Sequence, residues 1–409
     1  MKNIIKTIIL TACLCIFCGK LFSQTKITLE KSIEIASKNN ANLKSERLKS
    51  EYQKQLIKSA YTIAPTNISG DYGQINSFYD DFRFGISQTL NFPTVYSNQK
   101  KLLTEEWKTS VLIVSLKEAD LKRAVRNSFY NLIYFDEKQK LLQRSDSIFI
   151  EFLIKSDLRF KKGESNILEK TTAETQRGNI KMQLLQLRQD KEMAQLQFQL
   201  LLNDNQTFEP NYNQVRLSFE QNIDSTTLAE NPFLKVLAQN KIVSQANTKL
   251  EKARLLPNFT IGYNNNSFIG IGADDLLYNK SNRFHSAQVG LGIPLFGGSQ
   301  KAKINASKTA ENIAENDFEI QNKAIQNQYK SLLIQYQNNI EKLKYYEQSA
   351  MPNAKIIEDT ANKQFYNGDI NYLDWTILIN QSIAIKTSYI ETISAYNQNI
   401  IELNYLLSK

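Results

Sequence analysis

A single histidine (His285) and three cysteines crowded into the first 18 residues (Cys13, Cys15, Cys18) are the whole imidazole and thiol content of this 409-residue chain. That leaves nothing for a histidine-rich metal centre, a Cys–His nucleophile or a zinc knuckle. No Ser-His-Asp arrangement is present, nor any glycine-rich loop to cradle a phosphate. Met182, Met193 and Met351 are scattered and read as core filler. No catalytic residue, resident metal or cofactor is expected, and an enzyme is the least favoured class.

Composition turns attention to long elements. Hydrophobic residues make up 42% and charged residues 22%, enough to bury a sizeable core. Only 14 Gly and 7 Pro interrupt the chain, which favours long helices over a turn-rich all-β protein. The formal net charge of +9 is spread along the chain rather than gathered into a nucleic-acid patch. At the start, Lys2 and Lys6 precede the apolar run Ile8–Cys18, followed by Leu21-Phe22-Ser23. A basic start, about a dozen apolar residues and a small residue at the cut describe a secretory signal over residues 1–23, cleaved after Ser23. The run falls short of the ~20 residues that cross a bilayer as a helix. Leu10-Thr11-Ala12-Cys13 leaves lipidation at Cys13 as an open alternative.

The remainder is written twice. Ala60–Ile68 with Pro65 is echoed by Ala253–Phe259 with Pro257, and Gln88–Pro93 by Gly290–Phe296. Arg159–Gly163 with Ile167-Leu168-Glu169 matches Gln364–Gly368 with Tyr372-Leu373-Asp374. The offsets are 192, 201 and 205 residues, so the order holds while loops differ. We divide the mature chain into repeats at 24–229 and 230–409.

Each repeat begins with a helix leading to a proline (28–60 and 233–256). A period-two stretch follows, at about 66–93 and 258–295. Phe82, Phe84, Ile86 and Leu90 alternate with Arg83, Ser87 and Thr89; Phe259, Ile261 and Tyr263 with Thr260 and Asn264; Val289, Leu291 and Ile293 with Gln288, Gly290 and Gly292. One greasy and one wet face, over roughly ten residues rich in aromatics, suits a tilted transmembrane strand. After each hairpin comes a stretch without Pro or Gly from Tyr96 to Lys162, or broken only by Pro352 from Ser299 to Asn367. Tyr389, Ile393, Tyr396, Ile400, Leu403 and Leu407 step by 4, 3, 4, 3, 4, a coiled-coil seam. Gly163 and Gly368 each end one long helix and turn the chain back, and Pro352 is expected to kink its helix. Residues 204–230 read as an irregular polar belt around the helices. Four strands cannot close a barrel, and open edges in lipid cost several kcal/mol per unsatisfied group, so the chain must oligomerise to insert.

These features together resemble the TolC-like outer membrane efflux proteins: the signal, the two copies, the proline before each hairpin, Ile293-Pro294-Leu295-Phe296-Gly297-Gly298 and the paired helix turns. The resemblance spans nearly the whole mature chain. Gln88–Tyr96 with Pro294–Ala302 is most similar to the heavy-metal cation efflux branch. The resemblance implies a mainly α homotrimer, with long antiparallel coiled-coil helices forming a periplasmic α-barrel and a twelve-stranded β-barrel in the outer membrane. It implies a passive conduit fed by an inner-membrane pump through a periplasmic adaptor (membrane fusion protein), with no nucleic-acid partner. It places the two helix turns at the adaptor-docking tip, which here would be Gly163, Glu164, Ser165, Asn166, Gly368, Asp369, Ile370 and Asn371. The family's tip pattern, a glycine with an acid six positions later, is met by Gly368 and Asp374 and, with Glu for Asp, by Gly163 and Glu169. Asp374 and Glu169 are therefore candidates for an acidic ring at the periplasmic aperture. Ile370 departs from the family, where an arginine is often found. The alternatives are the outer pore of a type I protein-secretion system and an exported coiled-coil adaptor or scaffold that never enters the membrane.

Overall fold

The computed structural model describes residues 25–219 and 225–408. The signal segment and Cys13 lie outside the described residues. In chain order the elements are β1 (Thr25–Ile27), α1 (Leu29–Asn39), α2 (Ala41–Leu56), β2 (Asn67–Gly73), β3 (Asp81–Leu90), α3 (Pro93–Lys161) and α4 (Ile167–Leu202). Then follow β4 (Phe208–Pro210), α5 (Pro232–Ala253), β5 (Asn258–Ser267), β6 (Gly270–Ile271), β7 (Leu277–Tyr278), β8 (Arg283–Gly292), α6 (Gly298–Tyr345), α7 (Met351–Asn367) and α8 (Tyr372–Leu406).

Contacts divide the chain into two compact units, and each draws on both sequence repeats. One holds Lys117–Asn231 and Ile325–Lys409 with the described residues up to Lys44; the other holds Ser45–Leu116 and Pro232–Ala324. The repeats describe how the chain is written, and the compact units describe how it packs.

The first unit is helical. Where the sequence suggests one helix over 28–60, Asn40 divides it: its backbone is extended, and its Oδ1 accepts the amide of Leu43 at 3.1 Å. Asn40 therefore stops α1 and caps α2, a job suited to a short amide side chain. The pair α3 and α4 runs antiparallel through a core of Phe149, Phe152, Ala173, Ile180 and Leu187, joined by Ala361, Phe365, Trp375 and Ile379 of α7 and α8. Between α6 and α7 the helix passes through a π turn, Tyr346–Ala350, with Pro352 at the start of α7. Proline lacks an amide hydrogen, so one extra residue in the ladder accommodates it there. The belt is not wholly irregular: β4 pairs in parallel with β1, and Ser225–Glu230 forms a 3-10 turn. Three-residue strands carry too little periodicity to read from sequence. Asn397 fixes the belt from α8, donating to the Val215 carbonyl at 2.7 Å and accepting the Leu217 amide at 2.8 Å.

The second unit carries a four-stranded antiparallel sheet in the order β2-β3-β5-β8. Its helices repeat one fastening twice. Gln239 of α5 donates to the backbone and side-chain oxygens of Glu105 at 3.3 and 2.7 Å; Gln300 of α6 does the same to Glu251, both at 2.8 Å. Each glutamate is also paired with a cation three residues on, Lys108 and Arg254.

Candidate functional site

The two helix turns are built by the same local physics. Gly163 and Gly368 have φ of +73° and +83°, the left-handed region that favours glycine. Around each, the glycine amide donates three residues back (to Phe160 at 3.0 Å, to Phe365 at 3.2 Å). The following amide donates five residues back (Glu164 to Arg159 at 2.9 Å, Asp369 to Gln364 at 2.9 Å). This pattern closes the helix by satisfying its last carbonyls. Three residues after each glycine an asparagine opens the next helix. Asn166 Oδ1 accepts the Glu169 amide at 3.1 Å; Asn371 Oδ1 accepts the amides of Leu373 and Asp374 at 2.8 and 3.0 Å. A Gly-x-x-Asn unit thus reverses the chain in four residues, twice.

The acidic residues that follow part company. Glu169 is 3% exposed and enclosed. Its Oε1 accepts from Arg159 at 3.1 Å and from Ser156 at 3.3 Å, and the Ser165 hydroxyl donates to its other oxygen. Asp374 is exposed, and its carboxylate accepts from Asn371 Nδ2 at 2.7 Å. Of the eight tip residues, Gly163, Glu164, Asn166, Gly368, Asp369 and Asn371 are exposed, Ser165 turns toward Glu169, and Ile370 packs against the Phe365–Trp375 cluster. The second turn and the helices that flank the first border one open cavity of about 810 Å³, lined by Arg159 and Glu169 and by Gly368 to Asn371. Lys155 Nζ lies 3.2 Å from the centre of the Tyr366 ring at its edge.

Two further tip residues went unmarked in the sequence. Leu168 and Leu373, each five positions past its glycine, are 61% and 52% exposed. Their matched spacing was legible in the repeat; their exposure was not.

The sheet of the second unit is a separate candidate surface. Directly opposed residues share a face, so the register Ile68–Ile86–Tyr263–Ala287 and Leu90–Phe259–Leu291 gives one apolar side. Asn67–Ser87–Gly262–Gln288 and Thr89–Thr260–Gly290 give a polar one. The apolar side is open: Ile261 is 54% and Val289 82% exposed. The outer strands β2 and β8 each pair on one side only. His285, on the apolar side, accepts from Asn265 Nδ2 at 3.3 Å through Nδ1, which also meets Tyr263 Oη. No group of three or more His, Cys, Asp or Glu among the described residues could hold a metal ion. No helix among them is long and apolar enough to cross a membrane.

Residues 223–404 match the family model described as outer membrane efflux protein. No protein of curated function matches the chain in sequence. Among solved structures it is similar to CusC, with a TM-score of 0.78 at 15% identity over 94% of this chain and 93% of that one. It is equally similar to the Campylobacter jejuni outer membrane channel CmeC (0.78, 14%, 93% and 85%) and to the Vibrio cholerae outer membrane protein VceC (0.78, 12%, 93% and 95%). The chain is TolC-like in fold. Strands β2 and β3 come from the first half of the chain and β5 and β8 from the second, and each half carries one of the two helix turns.

Proposed function

We propose that this protein is the outer membrane channel of a tripartite efflux system, a passive homotrimeric conduit reaching from the periplasm to the outside. The observation that carries this reading is the sheet. An apolar face left open, a polar face behind it and two unpaired edges are costly in water and incomplete in lipid. Three chains supply twelve strands, β8 of one closing on β2 of the next, with apolar side chains toward lipid and amides and hydroxyls lining a wet bore. A periplasmic scaffold has no use for such a sheet.

The doubled Gly-x-x-Asn turn is the surface offered to a periplasmic adaptor, with Leu168 and Leu373 as its apolar contacts and Glu164 and Asp369 beside them. Asp374, an exposed carboxylate side chain, is the residue of choice for a cation-selecting ring at the periplasmic aperture. Glu169, already enclosed by Arg159, Ser156 and Ser165, serves the turn instead. Choice of cargo, heavy-metal cations included, falls to the inner-membrane pump. The chain is exported by its N-terminal signal and read as two repeats, 24–229 and 230–409.

The purified protein in detergent should run as a trimer and conduct ions in planar bilayers. A monomer that stays soluble without detergent overturns the proposal. Replacing Gly163 and Gly368 together by valine should abolish efflux in cells while trimers still assemble; unchanged efflux removes the docking role.

A further inference from the structure

At the loop end of the sheet, away from the helices of its unit, Phe284 breaks the pattern of the polar face. It lies opposite Asn266, on the side otherwise given to Asn264, Ser286 and Gln288. Two more rings cover it. Phe268 follows β5 directly, and Tyr278 belongs to the small β6–β7 hairpin that pairs Gly270 with Tyr278 and Ile271 with Leu277. The three rings meet edge to face: Tyr278–Phe284 centroids are 5.3 Å apart, Phe268–Tyr278 6.0 Å and Phe268–Phe284 6.4 Å. The connection between β5 and β8 is therefore folded back onto the polar face rather than extended from the strands.

The rings border an open cavity of about 530 Å³ that also includes Asn76, Asn266 and Asp274. Asp274 is held in place: Tyr278 Oη donates to its Oδ2 at 2.6 Å, and the Leu276 amide to its Oδ1 at 3.3 Å. Those bonds, the Tyr278 hydroxyl first, hold its carboxyl below the usual range and keep it charged at neutral pH. Two bonds leave about half of a carboxylate's lone pairs open. Among the described residues no Lys or Arg lines the cavity. Gly272 is required by the close approach: a Cβ there would fall 2.5 Å from Asp274 Oδ1 and 2.6 Å from the Tyr278 ring.

We propose that this cavity is a binding site for organic cations, with Phe268, Tyr278 and Phe284 facing the apolar part and the ammonium, and Asp274 supplying the countercharge. Aromatic faces attract alkylammonium groups through the ring quadrupole, and Asp274 is the carboxylate among the cavity's lining residues that sets the sign; the nearby Arg83, whose Nε donates to Asn266 Oδ1 at 3.1 Å, is itself paired with Asp71 at 4.0 Å. Hard metal ions, which need several oxygen ligands, are not served by such walls. On the reading of the polar face as the bore, the site lies at its outer mouth, where a lipophilic cation leaving the channel would pause.

The test is calorimetric titration of the detergent-purified trimer with benzyltrimethylammonium, against benzenesulfonate as an anion of similar size. The cation should bind and the anion should not. Asp274→Asn and Phe284→Ala should each weaken binding on the order of tenfold, and Gly272→Val, which fills the cavity, should abolish it. Circular dichroism and trimer mobility report whether each variant folds; Asp274→Asn changes least and decides if the others do not. No cation binding, equal binding of the anion, or unchanged affinity in Asp274→Asn overturns the proposal. The measurement needs no ion conduction, so it fails or succeeds apart from the channel reading.

Discussion

The two antiparallel helix pairs of the helical unit reach the same turn by different means. Between α3 and α4, four ion pairs among the described residues cross the seam: Lys191–Asp136 at 2.6 Å, Arg177–Asp146 at 3.5 Å, Lys170–Asp157 at 2.7 Å and Arg159–Glu169 at 3.1 Å. Between α7 and α8 the ties are mostly inside. Ser382 donates to the Ala354 carbonyl at 2.9 Å, Trp375 Nε1 to Asn362 at 2.9 Å, and the buried Glu358 is held by Lys386 and by Arg144 of α3 at 3.0 Å. Partly exposed pairs are screened and add little each, whereas buried groups are costly to leave unpaired. Apart from the enclosed Glu169, the first pair is thus a zipper of replaceable contacts, and the second hangs on a few that are not.

The sharpest way to break the comparison is at Glu358. Glu358→Gln leaves Lys386 facing an uncharged amide and should cost about 3 kcal/mol in guanidinium unfolding; a loss similar to that of Asp157→Asn would erase the distinction. pH gives a second handle. Burial raises the Glu358 carboxyl, but hydrogen bonds and attraction from Lys386 and Arg144 outweigh it and hold the group below the ordinary glutamate value. A depressed carboxylate contributes its stability above its unfolded value of about 4.3 and loses it as pH falls through the folded value. Wild-type stability should therefore drop more steeply than that of Glu358→Gln on acidification below about pH 4.

Next in size is Glu169→Gln at the first turn, where a carboxylate with three donors becomes an amide. We expect a loss of about 2 kcal/mol, read by the same unfolding, with little change in ion selectivity. Valine at Gly163 or Gly368 should cost about 1 to 2 kcal/mol at either turn, because the strain is in the backbone alone: nothing lies within 4 Å of an added Cβ at either position. A clear inequality between the two would mean the turns are not equivalent. The smallest stability effect belongs to Asp374→Asn, within about 0.5 kcal/mol, paired with a fall in cation selectivity in planar bilayers. Selectivity that follows Glu169 rather than Asp374 would reverse the roles assigned to the two acids.

Much of this was legible from residue order because it is local. Period-two alternation in Phe82–Leu90 and Phe259–Tyr263, the 4-3 steps of α8 and the glycines at the turns follow from strand pleat, helix pitch and the left-handed φ, which a few neighbouring residues determine. The break at Asn40 was within reach, since an asparagine cap has a known habit, but the amphipathic pattern ran straight through it. The three-residue pairing of β1 with β4 was not within reach, because its partners are 183 residues apart and neither has a pattern of its own.

Residue order alone therefore determined the long helices, the two-faced strands and the glycine at each helix turn. Tertiary structure alone decided which of two matched acids is enclosed and which faces water. It also decided that packing cuts across the repeats, and that a loop's rings fold onto the wet face of the sheet. The reason is physical: helices, strands and caps depend on near neighbours, whereas burial depends on what distant segments bring alongside, and the same Gly-to-acid spacing takes its meaning from an Arg159 in one copy that the other lacks.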